Sequence, residues 1–192
     1  MKTKKKNSRD KLLDVTFDEV YIYGYCGAAT ASILTKAGVP RGSMYHHFES
    51  KKAMVLAMIE ERLIPKVREF FDFKMRQDAT ALEIIEHTMN NIAKNKMLIR
   101  HGCPLHRLMF EMGALDDDIA LLCEKELQRL TNNFSKVLEY GIEKGEIRKM
   151  DAEDLASFII ASSWGMLSRT PRTSSRAQFL KDVEHIMILL RT

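Results

Sequence analysis

Apolar positions along this chain recur at helical spacing rather than in the alternation of a strand. Leu12, Leu13, Thr16, Phe17 and Val20 share one side of a helix predicted over residues 9–23, with Ser8 at its N-cap and Gly24 at its end. A second short helix is expected over 28–37, turning Ile33 and Leu34 inward. Gly38 then supplies the positive φ of a tight turn and Pro40 discourages continuation. A third short helix follows over about 41–47. Ser50 caps a long fourth helix in which Met54, Met58 and Ile59 recur at helical spacing; Pro65 lies well inside it and is expected to kink it or shift its end.

Further helices are predicted over about 80–97, 104–113, 117–144, 151–168 and 174–191. The breaks between them are Gly102-Cys103-Pro104, Leu115-Asp116, Gly145 and Thr170-Pro171-Arg172-Thr173. Asp151 and Ser174 or Ser175 are the N-cap candidates, and the last helix sets Phe179, Val183, Ile186 and Leu190 on one stripe. No run of β-branched residues alternates with polar ones over strand length, so the predicted class is all-α, with about nine helices.

Composition narrows the setting. With 192 residues, 45% hydrophobic and 29% charged, the chain reads as a soluble globular protein with one core and room for a small second unit. Its charged start lacks the apolar segment of a signal peptide, and no window holds a membrane span. Cys26, Cys103 and Cys123 are odd in number and far apart, which argues against a disulfide framework or a zinc cluster and for a reducing cytoplasm. Charge is uneven. Residues 1–51 hold nine Lys and Arg against five Asp and Glu, while the remainder balances at 21 of each. All of the formal excess of +4 therefore sits in the first quarter, as in a polyanion-binding head or a solubilising tail on a neutral body.

The densest candidate chemistry is GVPRGSMYHHFESKKAM, residues 38–54. Its YHHF core admits three readings: a metal site, a catalytic pair, or a gripping surface. Adjacent residues on a helix point about 100° apart, so His46 and His47 are poorly placed to share a metal ion, and neither has an i, i+4 partner. Tyr45 and Phe48 are three apart, so only one faces a core fully. Phe48 is expected to pack with Ile33, Leu34 and Val39, leaving the Tyr45 hydroxyl for a phosphate. Two short helices joined by a tight turn and followed by a capped helix have the layout of a helix-turn-helix reader.

The stretch GYCGAATASILTKAGVPRGSMYHHFESKKAM resembles the DNA-binding head of TetR-type (TetR/AcrR) transcriptional regulators. Gly24-Tyr25, Ile33, Ala37-Gly38-Val39, Gly42, Tyr45, His47-Phe48 and Ser50-Lys51 stand at that family's spacings. The resemblance implies a head over residues 1–50 and an effector-binding and dimerisation body over 51–192, and a regulator rather than an enzyme, with no cofactor and no metal. It implies that the third helix enters the major groove of double-stranded DNA, with Arg41, Ser43, Tyr45, His46 and His47 as contact candidates. Lys51 matches the family's phosphate-gripping lysine; Lys4, Lys5 and Lys6 would form a basic arm. The pattern departs at the start of the second helix, where the usual Thr or Ser is replaced by Ala28 and Ala29, with Thr30 one step later. Glu19, Ile22 and Tyr23 are also unusual at the end of the first helix.

For the body, the resemblance implies a homodimer through the last two helices, using Leu155, Phe158, Ile159, Ser162, Phe179, Val183, Ile186 and Leu190, with some of that stripe facing the body's own core instead, and a palindromic operator. It implies a small-molecule effector, with the fourth helix as lever and Pro65 as a candidate bend. Met89, Met109, Phe110 and Trp164 are candidates to line an apolar pocket or plain core. Cys103 precedes Pro104 at a helix start, with Arg100, His101, His106 and Arg107 nearby, a setting that favours thiolate. GC-x-L at this point is similar to regulators of the family that sense electrophiles or oxidants through a cysteine; the other reading is a buried structural cysteine. Two rivals remain: a Cys–His nucleophile built on Cys103 and His106, which predicts ester or thiol turnover, and a helical adaptor whose basic head binds an acidic protein.

Overall fold

The computed structural model describes residues 7–71, 73–76, 78–169 and 175–191. It is all-helical as expected, with a single isolated bridge, Ile147 to Arg191, among the described residues. No helix in them is long and apolar enough to cross a membrane. The helices are α1 (Ser8–Gly27), α2 (Thr30–Ala37), α3 (Arg41–His47), α4 (Lys51–Met58), α5 (Ile64–Phe70), α6 (Ala81–Lys94), α7 (Lys96–His101), α8 (Pro104–Met112), α9 (Asp117–Glu143), α10 (Ala152–Leu167) and α11 (Arg176–Leu190). The chain forms two compact units: Met1–Lys66 with Arg107–Glu124, and Val67–His106 with Lys125–Thr192.

In the first unit, α1 buries Leu12, Leu13, Thr16, Phe17 and Val20, the predicted side. Its cap is one residue earlier than expected: the Asn7 side chain accepts from the Asp10 N–H, so Ser8 is already helical. Gly24 breaks the helical dihedrals at φ 79° and ψ 172°, and one further turn follows before α2. That second helix starts at Thr30 rather than 28, because Ala29, its N-cap, is extended and offers no side-chain acceptor. Gly38 is left-handed at φ 61°, and its N–H and that of Val39 close the end of α2 onto Thr35 and Leu34. Ser50 caps α4 by accepting from the Ala53 N–H.

Pro65 does not simply kink the helix. A π-turn over Ile59–Leu63 joins α4 to α5, with the Ile64 N–H reaching back five residues to the Ile59 carbonyl. Proline lacks an N–H and crowds the carbonyl four residues earlier, and the wider turn just before it relieves both problems. The turn also presents Arg62 to α1, where its guanidinium donates to Asp10 (2.8 Å) and Asp14 (2.6 Å).

In the second unit, the expected helix over 80–97 is split at Asn95, whose extended backbone ends α6 and whose side chain caps α7. A reciprocal Thr80–Glu83 capping box starts α6. Its buried face, including Ile85, Met89 and Ile92, packs with α11. The α11 stripe of Phe179, Val183, Ile186 and Leu190 is buried here, as are Leu155 and Ile159. These residues therefore fill the unit's own core, the alternative expected for part of that stripe. Phe158, Ile188 and Leu189 are instead outward-facing. Asp151 and Ser175 are the observed N-caps of α10 and α11, while the predicted 170–173 break and Ser174 lie outside the described residues.

Candidate nucleic-acid interface

The head grows from what α1 offers its neighbours. Ile33, Ala37, Val39, Met44 and Phe48 are buried together with the α1 stripe, so one side of each short helix is committed to the core. Met44, which sequence reasoning passed over, is the α3 anchor at 1% exposure. With Met44 inward, Arg41, Tyr45, His46 and His47 are exposed and Ser43 is half-buried. The Arg41 guanidinium lies 5.8 Å over the Tyr45 ring, one turn further along α3. A Cβ built at Gly42 meets nothing within 4 Å, so this end of α3 is open.

Glu19 explains one departure from the family pattern. It is a buried carboxylate at 5% exposure, accepting from the Lys36 ammonium (2.6 Å) and the Ser32 hydroxyl (2.7 Å). The Lys36 hydrogen bond outweighs burial and holds the carboxyl below its ordinary range. The pair ties α1 to α2, and Lys36 also sits 5.5 Å over the exposed ring of Tyr23. No local signal links positions 19 and 36; only the folded α1–α2 contact does.

Lys51 is half-buried at the first position of α4. Its ammonium donates to the Tyr25 carbonyl at 2.5 Å and lies 4.6 Å over the Tyr25 ring. Thr30 is half-exposed at the start of α2, whose first N–H groups receive no side-chain cap. Lys4, Lys5 and Lys6 lie outside the described residues. The rings of His46 and His47 are tilted 60° and 5.6 Å apart.

The predicted effector residues divide. In the second unit, the His106 ring stacks on Trp164 (4.6 Å, 18°), and Cys103, Met89 and Trp164 are buried. The Ser163 hydroxyl approaches the Met89 sulfur at 3.9 Å. The Trp164 indole N–H is buried and makes no hydrogen bond of regular geometry; its one interaction is a weak one that favours the anionic form of Cys103. In the first unit, Met109 is half-buried and Phe110 is 88% exposed, facing outward. Two clefts of the second unit, of about 370 and 380 Å³, lie elsewhere: one is bordered by Phe70, Lys74, Ile84 and His87, the other by Glu86, Val183, Met187 and Ile188.

Of the two readings of Cys103, the buried cysteine is the one the fold places here. Burial pushes the thiol up to about 11, although the His106 and Leu105 N–H groups and the Trp164 indole favour the anion. The helix start was correctly placed, but desolvation outweighs it. Burial also lowers the His106 pKa.

A buried-core pair of short helices, a left-handed glycine between them, and an exposed arginine–tyrosine edge define a helix-turn-helix DNA-binding regulator. Comparison with known proteins agrees. Residues 12–58 match "Bacterial regulatory proteins, tetR family" and residues 81–185 match "Tetracyclin repressor-like, C-terminal domain". The chain belongs to the TetR family. It is 31% identical over 153 residues to the HTH-type transcriptional repressor DhaR of Mycobacterium sp. (strain GP1), covering 76% of this chain and 73% of that protein. It is 28% identical over 135 residues to an uncharacterized HTH-type transcriptional regulator of Lactococcus lactis subsp. lactis, covering 68% of this chain and 66% of that one. The crystal structure of the reduced form of E. coli NemR has the same fold, with a TM-score of 0.83 at 21% identity over 97% of this chain and 98% of that one.

Proposed function

We propose that this protein is a dimeric, cytoplasmic repressor that binds a palindromic operator through residues 1–50 and is released by a small apolar or electrophilic effector bound in residues 51–192. The observation that carries the reading is the exposed edge of α3, where Arg41, Tyr45, His46 and His47 stand out while Met44 and Phe48 anchor the core. Arg41 reads a guanine edge bidentately, and Ser43, Tyr45, His46 and His47 contact neighbouring bases or phosphates. Lys51, Thr30 and the uncapped start of α2 face phosphate, with Lys5 and Lys6 as a basic arm. Two-fold symmetry places two such helices in successive major grooves about 34–36 Å apart. Phe158, Ile188 and Leu189 supply the apolar contact between subunits in this reading, since each is more than half exposed.

The indole N–H of Trp164, buried under the His106 ring with no regular hydrogen bond and only the weakly accepting Cys103 sulfur to favour, supports an effector that carries a hydrogen-bond acceptor on an apolar frame. Met89, in the same unit, completes the proposed set. Selection of bound fragments from random duplex DNA tests the DNA reading: an inverted repeat is expected, and enrichment of no sequence, or of a motif without two-fold symmetry, overturns it. For the electrophile, Cys103→Ser is expected to keep operator binding and abolish release; a Ser variant released equally well rules the cysteine out.

A further inference from the structure

The break in α1 at Gly24 exposes two sets of backbone groups, and residues of α8 and its neighbourhood serve both. On the far side of the break, the first N–H groups of the new turn have no preceding carbonyl to bond. The Glu111 carboxylate takes them: Oε2 accepts from the Tyr25 N–H at 2.7 Å and Oε1 from the Cys26 N–H at 2.8 Å. On the near side, the Arg107 guanidinium, one turn earlier in α8, donates to the Ile22 carbonyl at 3.3 Å. An acceptor thus meets the positive end of one helical segment and a donor the negative end of the other. Gly24 suits its φ of 79°, and a Cβ there would lie 2.5 Å from the Glu111 Oε2 and displace that cap. Beside this junction, Lys52 pairs with Asp116 (2.8 Å) and Asp118 (2.7 Å), and Lys51 holds the Tyr25 carbonyl.

We propose that Glu111 is a positioning residue for DNA binding: its carboxylate caps the Tyr25–Gly27 turn from a distant helix and so fixes the direction in which the chain enters α2 and α3. It touches no DNA itself. The inference rests on the operator-binding reading above. A carboxylate bound to two backbone N–H groups is a charge-assisted contact with fixed geometry, and shortening or neutralising the side chain frees a junction that lies two residues before α2.

The test compares wild type, Glu111→Ala and Glu111→Gln on an inverted-repeat duplex recovered by selection, together with amide hydrogen exchange. Glu111→Ala is expected to lose roughly tenfold in operator affinity with an unchanged salt slope, because no phosphate contact is removed. Its Tyr25 and Cys26 amides should exchange faster while those of α4 stay protected. Glu111→Gln keeps one acceptor oxygen and should fall between. Wild-type affinity in Glu111→Ala, a reduced salt slope, or unaltered exchange at Tyr25 and Cys26 overturns the proposal. Should Glu111→Ala not fold, Glu111→Gln decides, an intermediate loss supporting the role and wild-type affinity refuting it. Wild-type protein that binds no duplex overturns the operator-binding reading and this inference with it; binding that is indifferent to Glu111 overturns this inference alone.

Discussion

The guanidinium of Arg41 rests 5.8 Å above the ring of Tyr45, one turn along α3, so the two most prominent groups of the recognition edge hold each other in place. Such a contact at an exposed site is worth about 0.5–1 kcal/mol, small for stability but enough to narrow the arginine's rotamers.

Arg41→Ala is therefore expected to lose sequence discrimination, by about 1–3 kcal/mol between the selected duplex and one changed at the contacted guanine. Tyr45→Leu, which keeps bulk but removes the π face, should lose part of the same discrimination. Competition binding with the two duplexes measures both. Equal loss by Arg41→Ala on selected and random DNA would remove Arg41 from the base-reading set.

The Glu19–Lys36 pair predicts a pH dependence of stability. Because the Glu19 carboxyl is held below its ordinary value by Lys36, its contribution is present above the unfolded-state value and lost as pH falls through the lowered one. Wild type should exceed Glu19→Gln in urea midpoint at pH 7, and the gap should close in acid, below the ordinary glutamate value of about 4.3. A gap of constant size across that range would show that the ion pair is not its source. Lys36→Ala should lower the urea midpoint at pH 7, since it strips the Glu19 carboxylate of its charged partner.

Cys103 should react late. With its thiol pushed up to about 11, alkylation by iodoacetamide is expected to rise about tenfold per pH unit well past pH 9. Exposed Cys26 provides the internal reference. Peptide mapping at several pH values resolves the two. A Cys103 rate that levels near pH 7 would contradict the buried, neutral thiol.

Gly141 sits where α9 meets α6. A Cβ there would lie 2.6 Å from Ile147 Cδ1 and 2.7 Å from the Ala81 Cβ. Gly141→Ala should destabilise by about 1–3 kcal/mol through overpacking, despite alanine's better helix propensity. In a chain of this length the thermal midpoint should fall by roughly 2–4 °C per kcal/mol. Calorimetry checks it, and an unchanged or higher midpoint would show that the neighbours give way.

The features legible along the chain were local. The left-handed Gly38, the Ser50 and Asp151 caps, the helical period of α1 and the outward Arg41 and Tyr45 all follow from residues within a turn or two of one another. Backbone sterics, capping and amphipathic period act over that range, so the helix-turn-helix was legible. Packing between distant segments set the rest. It turned the α11 stripe into the core of its own unit, buried Cys103 until desolvation outweighed the helix start, and gave Glu19 its lysine. It also brought Glu111 to the Tyr25 N–H across 86 residues of chain. Burial and long-range hydrogen bonding depend on which surfaces meet, and no pattern within one helix specifies that.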